Sequence, residues 1–151
     1  MVPQRLLVAL LVIVTVGAGA WWVLLRSEPP PPGNFVRHTQ QFADAARAVP
    51  ASADQVTDVK SLRRWSREVA VHLEEMELAY QRIVQIQGRA TEEAAEVADT
   101  AASTAASVIE LVGVYRDEFS EGSLGPAESA ARSIETLVNE LDAQVRAWKQ
   151  L

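Results

Sequence analysis

The chain has 151 residues, 14 Lys plus Arg against 20 Asp plus Glu, a formal net charge of -6 and 48% hydrophobic residues. That length fits one modest domain, and the apolar fraction excludes wholesale disorder. With no cysteine, disulfide frameworks, zinc ribbons, cysteine nucleophiles and thiolate-held clusters are excluded. The net acidity argues against a nucleic-acid partner, because phosphate-backbone binding is built from clustered positive charge.

Residues 1–5 form a short stub ending in Arg5, and Leu6 to Leu25 follow without one charged side chain before Arg26. About 20 residues at 1.5 Å rise match a hydrocarbon core of roughly 30 Å, so residues 6–25 read as a single transmembrane helix of the signal-anchor kind. Trp21, Trp22 and Arg26 are its candidate membrane-interface residues. The rival is a signal peptide cleaved after Ala18-Gly19-Ala20, which would yield a secreted helical protein. The apolar run continues past that site through two bulky tryptophans, whereas the apolar core of a signal peptide is short and ends before it. The flanking positive charges nearly balance. A short basic stub ahead of an uncleaved anchor places the N-terminus in the cytoplasm and the remaining chain outside it, as at a bacterial inner membrane facing the periplasm. The span holds no ionisable residue, so it contains no proton path or histidine-held pigment.

Residues 26–33, with four consecutive prolines, read as a stiff polyproline linker. Residues 34–151 then show helical periodicity throughout and no β-type alternation, which predicts an all-α domain. Asn34 is placed to cap a first helix over 35–49, ended by Pro50. A second helix is expected over 54–87, closed by Gly88, and a third over 91–119 with Thr91 as its cap. A loop rich in Ser and Gly leads to a fourth over 126–149, opened by Pro126.

The third helix carries the most informative pattern. Ala94, Ala98, Ala101, Ala105, Val108, Val112, Tyr115 and Phe119 alternate at spacings of four and three, an unbroken seam of coiled-coil type. A stripe of Val59, Leu62, Trp65, Val69, Leu73, Met76, Tyr80 and Ile83 on the second helix faces it in antiparallel register, setting bulky residues against alanines. Ala130, Ile134, Leu137, Leu141, Val145 and Trp148 form the matching stripe of the fourth, with Trp148 expected beside Ala98. The first helix, with Phe35, Phe42, Ala46 and Val49 on one side, is short and is expected over an open end or a flank. The predicted architecture is thus an N-terminal transmembrane helix followed by an antiparallel bundle of three to four helices built on a coiled-coil-like hairpin.

Chemistry is sparse. The two histidines, His38 and His72, preclude sites needing several imidazoles. Glu68, His72 and Glu75 share a face but read as an ion-pair ladder with Arg64, since no Glu-x-x-His is present. Glu92, Glu93, Glu96 and Asp99 complement the dipole at the start of the third helix. No phosphate loop and no nucleophile elbow occur. Catalytic residues, cofactors and metals are therefore all expected to be absent, and the protein is expected not to be an enzyme.

What remains is a candidate partner contact. Lys60, Arg63, Arg64 and Arg67 lie on one side of the second helix, suited to anionic headgroups or an acidic partner, and Val71 and Leu78, seven residues apart, point outward on that same side. The expected function is a single-pass, membrane-anchored structural, scaffold or accessory subunit, in contact with the lipid bilayer and with a membrane-protein partner or a second copy of itself. The alternative is an extracytoplasmic module that senses or binds a small ligand between its helices. The anchor reading has a direct check: intact-mass measurement of the native protein should return the full N-terminal segment in the membrane fraction, whereas a soluble chain beginning at Trp21 would replace the anchor by a cleaved signal.

Overall fold

The computed structural model describes residues 32–151; residues 6–25, with the interface candidates Trp21 and Trp22, and Arg26 with the linker up to residue 31, lie outside the described residues. Four helices and no strands make up the described chain: α1 (Pro32–Ala53), α2 (Val59–Gln87), α3 (Glu92–Ser120) and α4 (Leu124–Trp148).

α1 departs most from its expected bounds of 35–49. It opens at Pro32, so the linker ends earlier than residue 33 and Asn34 lies inside the helix. A proline at the first helical position has no bond to lose there, and its fixed φ is already helical. Pro50 does not end the helix either. In a final turn, proline forfeits one backbone bond and crowds one carbonyl, while the Ser52 hydroxyl donates to the Val49 carbonyl at 2.9 Å. Burial explains the extra turn: Phe35, Thr39, Phe42, Ala46, Val49 and Ala53 are all buried and continue the same four-and-three spacing through the proline.

α2 starts at Val59, later than the expected residue 54, because its cap is Asp58. The Ser61 N–H donates to Asp58 Oδ1 at 2.6 Å, and the Asp58 N–H donates to Ser61 Oγ at 2.9 Å, closing a reciprocal capping box. These bonds, the Ser61 backbone amide foremost and its hydroxyl next, hold the Asp58 carboxyl below the ordinary carboxylate value. Thr91 occupies the position before α3 with extended backbone, yet its side chain makes no capping bond. α4 begins two residues ahead of Pro126, which sits in the first turn where amides have no intrahelical partner. Gly122, at φ 79°, makes the preceding turn in the region glycine adopts without strain.

Successive helices pack side by side, α1 also lies along α4, and α1 approaches α3 across the diagonal. The first helix is therefore a full member of a four-helix arrangement and not a cover over one end. Its presence widens every buried arc. On α3, the seam from Ala94 to Tyr115 is buried as patterned, and Ala102 and Thr104 join it. On α2, Trp65, Val69, Met76 and Ile83 are buried, while Ala79 and Ile86 are buried in addition on the side where α1 packs. Val59 drops out of the stripe at 66% exposure because it is the first residue of its helix. On α4, Ala127, Ala130, Ile134, Val138, Leu141 and Val145 are buried.

Aromatic contacts close the core. The Trp65 ring lies edge-on to Tyr115 with centroids at 6.1 Å and tilted on Phe119 at 4.8 Å, reaching beyond Val112, the neighbour that register alone assigns it. Its indole N–H donates to Ser52 Oγ of α1 at 3.0 Å. Burial, and secondarily the charge of Asp54, pushes the Tyr115 hydroxyl above the ordinary tyrosine value. Trp148, expected beside Ala98, stacks on Phe35 of α1 at 4.1 Å. An ion pair between Arg47 and Asp142 ties α1 to α4 at the surface.

α3 is long and apolar enough by composition to cross a membrane. Its buried residues, alanines and valines for the most part, pack into the bundle core, while Glu92, Glu93, Glu96, Asp99, Glu110 and Asp117 are exposed.

Two substitutions test this packing in melts of the helical domain. Ala101 is fully buried, so Ala101→Leu should cost about 1 to 3 kcal/mol through overpacking, whereas Ala106→Leu, at an exposed position, should cost far less; equal losses would mean the seam is misassigned. Thr39 is fully buried with a hydroxyl that lacks a hydrogen-bond partner. Replacing it with the similarly shaped valine should stabilise the domain by roughly 1 kcal/mol, read as a higher denaturant midpoint at unchanged slope.

Candidate functional site

The outer face of α2 carries the only apolar pair that sequence periodicity assigned to a surface, and it is exposed. Val71 is 53% and Leu78 59% exposed, so α1 does not cover them. At 100° per residue, Arg64, Arg67, Val71, Leu78 and Arg82 fall within a sector of about 60°. Apolar side chains therefore occupy the middle of the face, with cationic ones above and below.

Lys60, Arg63, Arg64 and Arg67 are all exposed, and among the described residues none of them is paired with a carboxylate. The Arg67 Nε–H donates to the Arg63 carbonyl at 3.3 Å. The expected ladder from Arg64 to Glu68 does not form. One rung survives, between His72 Nδ1 and Glu75 Oε2 at 3.2 Å. A row of unpaired cations is costlier for the isolated chain than a ladder, and it leaves those charges available to an external anion.

Sequence reasoning missed a groove. Leu78 stands at the rim of a furrow of about 660 Å³ between α1 and α2, floored by Ala45, Ala48 and Ala79. Three alanines facing one another across two helices leave the space that larger side chains would fill. His38 and His72, distant in sequence, both line it. Each is engaged with its own helix, His38 Nδ1 with Gln41 Oε1 at 3.3 Å and His72 with Glu75. Among the described residues no three His, Asp or Glu side chains converge to hold a metal ion. The acids at the start of α3 behave likewise: Asp99 accepts from the Gln87 amide at 2.6 Å, which joins α2 to α3.

Comparison with protein families, with curated proteins and with solved structures finds no match to this chain.

Proposed function

We propose that the protein is a membrane-anchored helical scaffold or accessory subunit, held by residues 6–25, whose α2 outer face docks an acidic amphipathic segment of a membrane-complex partner. The observation that supports this reading is the exposure of Val71 and Leu78 in line with unpaired arginines, on a domain whose core is filled without them. An apolar centre with a charged rim is the usual anatomy of a protein contact. A second copy would bring the same basic row against this one, and like charges across an interface oppose association. A lipid surface suits the stripe less well than a protein. Lys60 and Arg64 lie at the end of the bundle away from Pro32, and α1 alone is about 33 Å long at 1.5 Å per residue.

On this reading the domain lies outside the cytoplasm, because a short basic stub precedes an uncleaved anchor. A module holding a small ligand on the bundle axis would need a cavity there, but Met76, Ile83, Val108 and Leu141 are fully buried within one continuous cluster. We take the protein as non-catalytic because it offers no cysteine, and both histidines are tied to neighbours on their own helices.

The test replaces Val71 and Leu78 together by Ser. Exposed substitutions shift stability by no more than about 0.5 kcal/mol, so the domain's melt should be almost unchanged. Recovery of a stoichiometric partner from mild detergent should fall sharply. Undiminished recovery would rule out this face, and a large drop in the melt would assign the pair to the fold.

A further inference from the structure

Where α1 begins and α2 ends, the two helices frame a second, smaller pocket of about 330 Å³. Arg37 and His38 contribute to it from α1, and Arg82, Gln85 and Arg89 from the last turns of α2 and the loop beyond. No carboxylate lines it. Among the described residues, none of the three guanidinium groups is in an ion pair. In a chain of net charge -6, three arginines brought together from two helices without an acid among them stand out. Acids on the adjoining segments are otherwise placed. Asp99 is bonded to Gln87 and Glu75 to His72, Asp44 lines the next stretch of the groove, and Glu92 and Glu93 lie in the first turn of α3.

We propose that this pocket binds a phosphate-bearing anion. Guanidinium forks match the oxygens of a phosphoryl group in pairs, which a compact ammonium does not. Arg82 is already steered, since its Nη1–H donates to Gln85 Oε1 at 3.2 Å, and the Gln85 amide keeps its own N–H groups for a ligand. Asn34 lines the pocket as well and supplies further amide donors. Mutual repulsion among the cations is relieved when an anion sits between them. No Phe, Tyr or Trp lines the pocket, and the group its guanidinium forks recognise is the phosphoryl group itself.

Two sources offer that chemistry, free phosphate compounds and the headgroups of anionic lipids. Six residues separate Leu25 from Pro32, and a chain step that short reaches no further than about 25 Å. With residues 6–25 in a bilayer, this is the end of the bundle tethered to the headgroup layer. The pocket shares Arg82 with the α2 docking face and takes Arg37 and Arg89 from outside it.

The experiment uses the full chain and follows the arginine side-chain Nε resonances of Arg37, Arg82 and Arg89. In uncharged detergent micelles it is titrated with inorganic phosphate at constant ionic strength. In parallel it is placed in nanodiscs of phosphatidylcholine alone or mixed with phosphatidylglycerol. Saturable shifts of these three resonances with phosphate, unaltered by phosphatidylglycerol, support a soluble ligand; shifts on adding phosphatidylglycerol support a headgroup. Replacing all three arginines by Gln should weaken binding at least roughly tenfold, equivalent to 1.4 kcal/mol, while the same change at Lys60, Arg64 and Arg67 removes equal charge from the far end and should leave it within about twofold. Absence of shifts in both arms overturns the proposal. Equal losses in the two triple variants also overturn it, since binding would then follow net charge and not this pocket.

Discussion

The thinness of α3 governs the rest of the fold. Ala94, Ala98, Ala101, Ala102 and Ala105 are buried, and a helix that offers methyl groups to the core can be packed only if its neighbours come close and supply the bulk. They do so with Phe35 and Phe42 from α1, Met76 and Ile83 from α2, and Ile134 and Leu141 from α4. A hairpin or a three-helix bundle would leave one side of that alanine surface wet. α1 completes the enclosure, approaching α3 across the diagonal. Alanine also has the best intrinsic helix propensity, so α3 needs little from its neighbours to be helical. What it lacks is buried area, and the ends of the bundle compensate. Trp65, Tyr115 and Phe119 cluster at one end and Phe35 with Trp148 at the other, each aromatic pair contributing about 0.5 to 1.5 kcal/mol beyond its burial.

Most of this was readable from spacing because helical burial leaves a periodic trace. The seam from Ala94 to Tyr115 is buried throughout, whereas the α2 stripe is fully buried at Trp65, Val69, Met76 and Ile83 and the α4 stripe at Ala130, Ile134, Leu141 and Val145, with Leu62, Leu73, Tyr80, Leu137 and Trp148 partly buried. The failures cluster where a residue type has two physical meanings. Proline reads as a stop, yet at Pro32 it opens a helix and at Pro50 it sits in a last turn, where the loss of one backbone bond is outweighed by the burial of Val49 and Ala53. Following the period through Pro50, from Phe42 to Ala46, Val49 and Ala53, would have recovered the true end. Asp54 and Asp58 both look like caps. What separates them is Ser61, three residues after Asp58, which can return the hydrogen bond.

The candidate site divides along the same line. Val71 and Leu78 were legible because two apolar residues one heptad apart, set off from a stripe already assigned to the core, have no partner left within the hairpin. Whether α1 covers them depended on where α1 packs, which periodicity does not encode. The groove beneath Leu78 is formed by Ala45, Ala48 and Ala79, and an alanine has the same sequence signature at the bottom of a furrow as at a tight helix crossing. The arginine pocket left no local trace at all. Arg37 and Arg89 meet because two antiparallel helices begin and end at the same level, a relation that exists only once the topology is known.

That topology also gives the charges of α2 a direction. Cationic side chains stand near both of its ends, with Val71 and Leu78 between them, and from Arg64 to Arg82 the helix rises about 27 Å. A Debye length near 8 Å at physiological ionic strength means that an anion held at one end is scarcely felt at the other. The two ends are therefore electrostatically separate, and on the proposed readings each has its own ligand. On the proposed reading, the six residues between Leu25 and Pro32 keep the near end within about 25 Å of a bilayer. The far end is then presented at a height set by helix length. A well-packed alanine-lined bundle is suited to that task, because holding a docking face at a fixed distance calls for stiffness along the axis and for no reactive group.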